Sequence, residues 1–244
     1  METILFLDLD NTIFRTARRA KGNLGNPIAY DVKGNPVSYM SEKQNAILCQ
    51  IGNEARIIPV TARTTATLKL VDIQFDDYAI CSYGATILSA DGRLDKAWDS
   101  NIRKLSQENH STLLKIKKQM EEKCADIADG IEIRIVNDLD MGLYASARHP
   151  QKDETALTRL FEILKPELPY GFWIHMNGNE LSVIPDYLTK QAAVEHLIDQ
   201  HLSPNTLNIG FADSISDCGF LGLCDFILVP NESQIGSEIK NMTS

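Results

Sequence analysis

The sequence predicts an α/β fold in which a parallel β-sheet forms a core domain and a smaller α+β domain is inserted into it. Two observations lead to this prediction. Short apolar runs alternate with helical patterns near both ends of the chain, which is typical of parallel sheets covered by helices. Between about residues 99 and 184 the pattern changes to helix, two strands, helix and two strands. A chain of 244 residues, 43% of them hydrophobic, is long enough to bury both cores.

The predicted core domain is discontinuous and covers residues 1–98 and 185–244. Its strands are apolar runs that end in polar or small residues. These runs lie at 4–7, 55–60, 78–81, 206–209 and 225–229. Since helical patterns follow several of them, the strands are expected to lie parallel in one sheet, with their carboxyl ends at the same edge.

Local signals predict the connections between these strands. A turn around Gly34 predicts a hairpin over residues 30–39. Ser41 is a suitable N-cap for a helix that ends near residue 51. An amphipathic helix is predicted to begin near Thr64, and Gly92 marks a second hairpin.

The inserted α+β domain is predicted to cover residues 99–184. It begins with a Lys- and Glu-rich amphipathic helix at residues 113–128, and a second helix is predicted at 153–164. Alternating apolar residues predict four strands, at 131–136, 143–147, 172–176 and 180–184. The first pair is joined by a turn at 137–142, and the second pair by Asn177-Gly178-Asn179, a strong hairpin signal.

Composition excludes several classes of function. A net charge of −9 argues against a nucleic-acid-binding surface, so an anionic ligand needs a local site or a cation. No apolar run approaches the roughly 18 residues that a membrane-spanning helix needs, and none at the N-terminus suggests a signal peptide. The five cysteines are dispersed and form no C-x-x-C pair, which predicts buried, reduced thiols and a cytoplasmic location.

Two carboxylates, Asp8 and Asp10, follow the first predicted strand in the pattern D-x-D-x-T. Ligands of open parallel sheets bind beyond the carboxyl ends of the strands, where two acids can divide the work of nucleophile or metal ligand and general acid/base. The alternative is that both side chains only cap the following turn, because Asp is common there.

Polar residues also follow later strands. Thr61 comes after the second core strand, where its hydroxyl could hold a phosphate oxygen or act as a helix N-cap. Asp213 and Asp217 follow the strand at 206–209 with a spacing suited to one helix face, and carboxylates suit Mg²⁺. Alternatively, Asp213 is an N-cap and Asp217 a solvated helix residue. Lys190, at a predicted helix start, is either a surface charge or the cation that this acidic site needs.

This order of motifs resembles the haloacid dehalogenase-like (HAD) superfamily, which is composed mostly of Mg²⁺-dependent phosphatases. The resemblance covers nearly the whole chain, because the inserted domain stands where one branch carries an α+β cap on its Rossmann-like core. That branch includes sucrose-phosphate and mannosyl-3-phosphoglycerate phosphatases and Cof-type hydrolases. The resemblance therefore implies a phosphatase that acts on a small phosphorylated metabolite, with a sugar phosphate as the expected substrate.

The resemblance also implies a role for each motif residue. Asp8 would attack phosphorus and form an aspartyl-phosphate, while Asp10 would protonate the leaving alcohol and then activate water. Thr61 and Lys190 would hold the phosphoryl oxygens. Mg²⁺ would be bound by Asp8, by Asp213, by the backbone carbonyl of Asp10, and by Asp217 either directly or through water.

For several other residues the sequence leaves the role open. Arg63, in a Thr-x-Arg pattern, is either a phosphate contact or a salt-bridge partner. Tyr83 replaces the Asn of the S-N-G-A pattern of relatives, which leaves the substrate open. Candidate specificity residues in the cap are Arg148, His175 and Asn177, although each also suits a strand or a hairpin.

Two other functions fit the same motifs. One is a phosphomutase of the phosphomannomutase type, and the other is a non-catalytic phospho-switch or binding protein. The expected partner is the metabolite, with no nucleic acid or membrane, and the chain is expected to be a monomer or homodimer.

Overall fold

The computed structural model describes residues 1–20, 22, 24–75, 77–125, 127 and 130–242. Within them the strands are β1 Thr3–Leu7, β2 Arg15–Thr16, β3 Asn26–Tyr30, β4 Pro36–Met40, β5 Arg56–Pro59, β6 Ala79–Cys81, β7 Thr86–Leu88, β8 Glu132–Asp138, β9 Met141–Arg148, β10 Phe172–Met176, β11 Glu180–Pro185, β12 Leu207–Phe211 and β13 Phe226–Leu228. The α-helices are α1 Glu42–Gly52, α2 Thr65–Leu68, α3 Lys96–Cys124, α4 Glu154–Leu164, α5 Lys190–His201, α6 Cys218–Leu221 and α7 Gln234–Met242.

The chain divides into two compact units. The first unit comprises Met1–Asp99 and Thr189–Ser244, and the second comprises Ser100–Leu188. The boundaries predicted from the sequence, 98/99 and 184/185, differ from these by one and by four residues. Residues 243 and 244, at the end of the predicted core domain, lie outside the described residues.

The first unit contains a four-stranded parallel sheet in the order β13-β12-β1-β5. Residues 4–7 of β1 are fully buried, because this strand lies between β12 and β5. Four of the five predicted core strands form the sheet. The fifth, β6, pairs antiparallel with β7 and meets the sheet through a single parallel bridge between Val60 and Ile80.

The hairpin and capped helix that follow β1 are as predicted. Strands β3 and β4 pair antiparallel around the turn at residues 31–35. Ser41 caps α1 in a capping box, in which its hydroxyl accepts from the Gln44 backbone N–H and the Gln44 side chain accepts from the Ser41 N–H. The same Gln44 side chain donates to the Thr12 carbonyl at 3.2 Å, so this cap also holds the loop after β1.

The second unit has an antiparallel sheet in the order β10-β11-β9-β8, with a buried core that α3 and α4 share with it. The predicted helix at 113–128 begins too late, because α3 starts at Lys96 and has 29 residues. Its polar first turns carry a weak apolar pattern, which hides the true start. The predicted end, Ala128, lies outside the described residues.

The turn that the sequence predicted at residues 137–142 is shorter in the structure. Asp138 pairs with Met141, so the loop of this hairpin is only Leu139-Asp140, with φ angles of 47° and 66°. Positive φ at both positions is typical of a type I′ hairpin turn, whose usual residues are Asn and Gly. Leu139 gives no such signal, which is why the sequence predicted a longer turn.

Two further predictions for the first unit need correction. The helix expected from Thr64 is a single turn, Thr65–Leu68, with Thr64 as its N-cap. All five cysteines are free, but Cys49 and Cys218 are exposed instead of buried. No helix in the described part of the chain is long and apolar enough to cross a membrane.

Gly84 lies at a close approach between two segments of the first unit. Its φ is +95°, and a Cβ atom there would lie 2.2 Å from the carbonyl oxygen of Thr189. Thr189 is the N-cap of α5, and its side chain accepts from the Ala192 N–H. Only glycine allows the loop after β6 to lie against the residue that precedes Lys190.

We therefore expect Gly84→Ala to destabilise the protein more than Gly92→Ala. Both residues have positive φ, which costs an L-residue about 1–2 kcal/mol. No atom lies within 4 Å of a Cβ at Gly92, so the overpacking cost of about 1–3 kcal/mol applies to Gly84 alone. Urea unfolding of the two variants measures the difference, and equal losses of stability would contradict the close approach.

Candidate active site

The parallel sheet brings the predicted site residues to one edge. Asp8 directly follows β1, Thr61 lies two residues after β5, and Asp213 lies two residues after β12. Since β12, β1 and β5 are adjacent and parallel, these three chain segments leave the sheet side by side. The backbone N–H of Asp8 donates to the carbonyl of Phe211 at 2.9 Å, which extends the β1–β12 pairing into the site.

Asp8 is 5% exposed and each of its carboxylate oxygens has a partner. The hydroxyl of Thr12 donates to Oδ2 at 2.7 Å, and the ammonium of Lys190 donates to Oδ1 at 2.6 Å. The Thr12 hydroxyl also lies 3.5 Å from Oδ1 of Asp213. These contacts fix the orientation of the Asp8 carboxylate.

Lys190 is 8% exposed, so the alternative that it is a solvated surface charge is wrong. Its Nζ atom lies 2.6 Å from Oδ1 of Asp8 and 2.8 Å from Oδ1 of Asp217. Burial disfavours the charged ammonium, but Asp217 and Asp8 together outweigh it and raise the pKa of Lys190 above its ordinary value. The site therefore contains a buried cation.

Three buried carboxylates surround this cation. Oxygen atoms of Asp8, Asp213 and Asp217 all lie within 4.8 Å of one another. Asp217 is 1% exposed, so it is not a solvated helix residue, and Asp213 is not the cap of the short 3₁₀ helix Ile215–Asp217, because Ser214 fills that position.

Burial and mutual repulsion shift the carboxylates toward their protonated forms. Burial, followed by repulsion from Asp217 and Asp213, raises the pKa of Asp8 to about 7, although Lys190 opposes the shift. Burial and Asp217 likewise raise the pKa of Asp213 to about 6. One lysine therefore does not balance the negative charge of this cluster.

Thr61 is 1% exposed. It follows β5 and is hydrogen-bonded to the loop after β6. Its hydroxyl accepts from the Arg63 N–H at 3.1 Å, and its carbonyl accepts from the Tyr83 N–H at 3.2 Å. Thr61 does not cap the following helix, whose N-cap is Thr64. Tyr83 is buried and has a φ of 58°, so the residue that departs from the S-N-G-A pattern occupies a strained turn beside Thr61.

Asp10 is held by Arg63. The guanidinium donates from Nε to Oδ2 at 2.6 Å and from Nη2 to Oδ1 at 2.8 Å, a bidentate pair. The Arg63 guanidinium also lies 5.2 Å from the ring centroid of Phe14. Of the two roles predicted for Arg63, the structure describes the salt bridge. The Asp10 side chain remains 41% exposed, unlike the buried Asp8.

Sequence reasoning missed two of these contacts. It assigned no role to Thr12, although the threonine of D-x-D-x-T was the available signal, and it did not pair Arg63 with Asp10. No local signal joins residues 53 positions apart, so the second contact required the fold.

The predicted specificity residues of the inserted domain lie in the second unit. Arg148 is exposed at the end of β9, where it pairs with Glu180 of β11. His175 is half-buried in β10, and the Asn177 N–H donates to the Glu180 carbonyl in the following hairpin. Asn177 therefore fulfils its hairpin role, and the contribution of all three residues to specificity stays a prediction.

Comparison with known proteins shows the fold. No family model matches the sequence, and no curated protein sequence matches it significantly. The structure is similar to that of a sucrose-phosphatase from Synechocystis in complex with sucrose and phosphate, with a TM-score of 0.53, 18% identity, and coverage of 99% of this chain and 88% of that one. It is also similar to the C-terminal domain of C. albicans trehalose-6-phosphate phosphatase, with a TM-score of 0.54, 16% identity and coverage of 91% and 72%.

These matches confirm the predicted fold class, an α/β fold with a parallel-sheet core, and the second unit has the predicted α+β composition. At 18% and 16% identity they establish the fold alone. Any activity must therefore be inferred from the residues of the site.

The raised pKa values predict how stability depends on pH in the metal-free protein. A carboxyl whose pKa is higher in the folded state stabilises the fold below its unfolded value of 3.8, and this contribution is lost as pH rises through the folded value. We expect the free energy of unfolding to fall between about pH 4 and about pH 7, and to fall less in Asp213→Asn. Urea unfolding in the presence of a chelator measures both slopes.

Asp91→Asn is the matched control, because Asp91 lies in an exposed turn and its pKa is lowered instead of raised. Between about pH 4 and about pH 7, the free energy of unfolding of this variant should change with pH as much as that of the wild type does. An unchanged slope in Asp213→Asn would show that the carboxylate cluster does not carry the effect.

Proposed function

We propose that the chain is a Mg²⁺-dependent phosphomonoester hydrolase that acts on a small phosphorylated metabolite through an aspartyl-phosphate on Asp8. The observation that carries the proposal is the buried cluster in which Lys190 and Thr12 hold the Asp8 carboxylate beside Asp213 and Asp217. The fold adds support, since two solved structures that share it are named as phosphatases of sugar phosphates.

The donor set fits Mg²⁺. The ion prefers oxygen ligands, and Asp8, Asp213 and Asp217 offer three carboxylates within 4.8 Å of one another. The pKa values of Asp8 and Asp213 are raised because these carboxylates are buried close to other negative charges. A divalent cation would compensate that negative charge. These three residues, with the backbone carbonyl of Asp10, are the proposed ligands. When bound, the ion supplies charge neutralisation for the phosphoryl group.

Asp8 is suited to the nucleophilic role because its carboxylate is held in one orientation. In the proposed reaction an oxygen of Asp8 forms a bond to phosphorus while the bond from phosphorus to the substrate oxygen breaks. Two unit negative charges 4 Å apart repel by about 1 kcal/mol in water and about 4 kcal/mol near a protein surface. The buried ammonium of Lys190 lowers this repulsion, and with Thr61 it would hold the phosphoryl oxygens.

Asp10 is the proposed acid and base. It would donate a proton to the leaving alcohol, and then accept a proton from the water that hydrolyses the aspartyl-phosphate, which regenerates Asp8 and releases phosphate. Arg63 binds both oxygens of Asp10 and thus fixes the orientation of the carboxylate. The proton would be carried on a lone pair of the carboxyl group that Arg63 does not use, because a carboxyl group offers more acceptor positions than these two.

The second unit is the proposed cap. Its residues Arg148, His175 and Asn177, together with Tyr83 in the first unit, are the proposed contacts to the non-phosphate part of the substrate. Polar side chains of this kind suit the hydroxyls of a sugar. The cytoplasmic location and the monomeric or homodimeric state remain predictions from the sequence.

Substitution of the two acids tests the proposal. We expect Asp8→Asn to abolish phosphate release, and Asp10→Asn to lower kcat by about 10²- to 10⁴-fold, because an amide can neither attack phosphorus nor transfer the proton. Phosphate release from a panel of phosphate esters in the presence of Mg²⁺ measures both. Asp91→Asn serves again as the exposed control and should keep wild-type activity.

Two outcomes would contradict this function. Full activity of a folded Asp8→Asn variant would exclude Asp8 as the nucleophile. Conversion of a sugar phosphate into its isomer, with no release of free phosphate, would identify a phosphomutase.

Metal removal provides an independent test. We expect a chelator to abolish phosphate release and added Mg²⁺ to restore it, since the three carboxylates otherwise repel the incoming phosphate. Asp213→Asn should require a higher Mg²⁺ concentration for half-maximal activity than the wild type. Metal-independent turnover would exclude the proposed role of the carboxylate cluster.

A further inference from the structure

A second cluster of metal-ligand side chains lies in the first unit and shares no residue with the candidate active site. It consists of Asp95, His196 and His201, whose ligand atoms all lie within 4.8 Å of one another. Nε2 of His196 lies 3.1 Å from Oδ2 of Asp95, and Nε2 of His201 lies 2.6 Å from the same oxygen. Two imidazole nitrogens and one carboxylate oxygen therefore converge on one point.

The orientation of Asp95 follows from the helix that it precedes. Its Oδ1 atom accepts from the backbone N–H of Trp98 at 2.9 Å, as an N-cap of α3 does. Oδ2 is thereby directed away from α3 and toward the two histidines. The Asp95 side chain is 7% exposed, so water does not compete strongly for this oxygen.

The two histidine rings are also held by neighbours. The Tyr78 hydroxyl lies 3.2 Å from Nδ1 of His201, which leaves Nε2 as the nitrogen that faces Asp95. The ring of His196 packs against Trp98 with centroids 4.9 Å apart. Metal-binding histidines usually have such a partner on the second ring nitrogen, because it fixes the tautomer and the ring orientation.

Helix periodicity alone does not explain the convergence. Residues 196 and 201 belong to α5, and positions five apart differ by about 140° around an α-helix. His201 is the last residue of α5, so its side chain can turn back toward His196 and Asp95. The two rings also lie edge to face with centroids 5.8 Å apart, and both Nε2 atoms face the same Asp95 oxygen.

We propose that Asp95, His196 and His201 bind a divalent transition-metal ion of the zinc type. Nitrogen and carboxylate ligands suit Zn²⁺, whereas Mg²⁺ prefers oxygen ligands alone. With bonds of about 2.0 Å, the ligands of a tetrahedral ion lie roughly 3.3 Å apart. The Asp95 oxygen lies 3.1 Å from Nε2 of His196, close to this spacing, and its 2.6 Å distance to Nε2 of His201 would lengthen when the ion binds. The histidine side chains are 20% and 30% exposed, which gives the ion access and leaves a fourth position for water.

The proposed ion has a structural consequence. It would join the end of α5 to the residue that caps α3, with both attachment points in the first unit. Because a metal that binds the folded chain and not the unfolded one shifts the folding equilibrium, Zn²⁺ is expected to raise the unfolding temperature.

Calorimetric titration with Zn²⁺ in excess Mg²⁺ tests the site, because excess Mg²⁺ is expected to occupy the carboxylate cluster under the proposed function. We expect about one Zn²⁺ per chain, and an affinity reduced roughly 100-fold in His201→Gln and His196→Gln. Tyr78→Phe, which leaves the ligands intact, should weaken binding about 10-fold. His110→Gln, an exposed histidine of α3, is the matched control and should bind Zn²⁺ as the wild type does.

Equal Zn²⁺ affinity in the wild type and the two ligand variants would overturn the proposal. Should both variants fail to fold, the wild type still decides the question. Zn²⁺ must then shift the imidazole ¹⁵N resonances of His196 and His201 and raise the unfolding temperature. Unperturbed resonances of these two histidines would equally overturn the proposal and leave the cluster as a set of hydrogen bonds.

Discussion

The buried ammonium of Lys190 is the interaction on which the arrangement of the site depends. Transfer of a carboxylate from water into a protein interior costs several kcal/mol unless a partner compensates it. Asp8, Asp213 and Asp217 are all at most 6% exposed, and Lys190 contacts two of them. Without this cation, the carboxyl ends of β1 and β12 could not keep their acids buried and close together.

The surrounding structure keeps Lys190 and its partners in place. Gly84 allows a loop to lie against Thr189, the cap that precedes Lys190. At the other side, the Gln44 side chain completes the cap of α1 and also binds the carbonyl of Thr12, whose hydroxyl reaches Asp8. Capping contacts that look purely local in the sequence therefore also support the site.

The first unit combines two clusters of opposite chemical character. The proposed Mg²⁺ ligands are oxygens at the carboxyl edge of a parallel sheet, where anionic substrates of α/β proteins bind. The proposed Zn²⁺ ligands include two imidazoles at the end of α5. Helix α5 begins with Lys190 and ends with His201, so one helix contributes to both clusters, and the difference in ligand type keeps the two metals apart.

The sequence by itself determined the alternation of strands and helices, the hairpin and capped helix after β1, and the acids and lysine of the site. Apolar periodicity, capping residues and turn residues are local, so these features can be read from neighbouring positions. Only the tertiary structure decided that Arg63 binds Asp10, that Lys190 and Asp217 are buried together, and that Asp95 meets His196 and His201. These contacts join residues far apart in the chain, and their free energy depends on burial and distance, which no local pattern encodes.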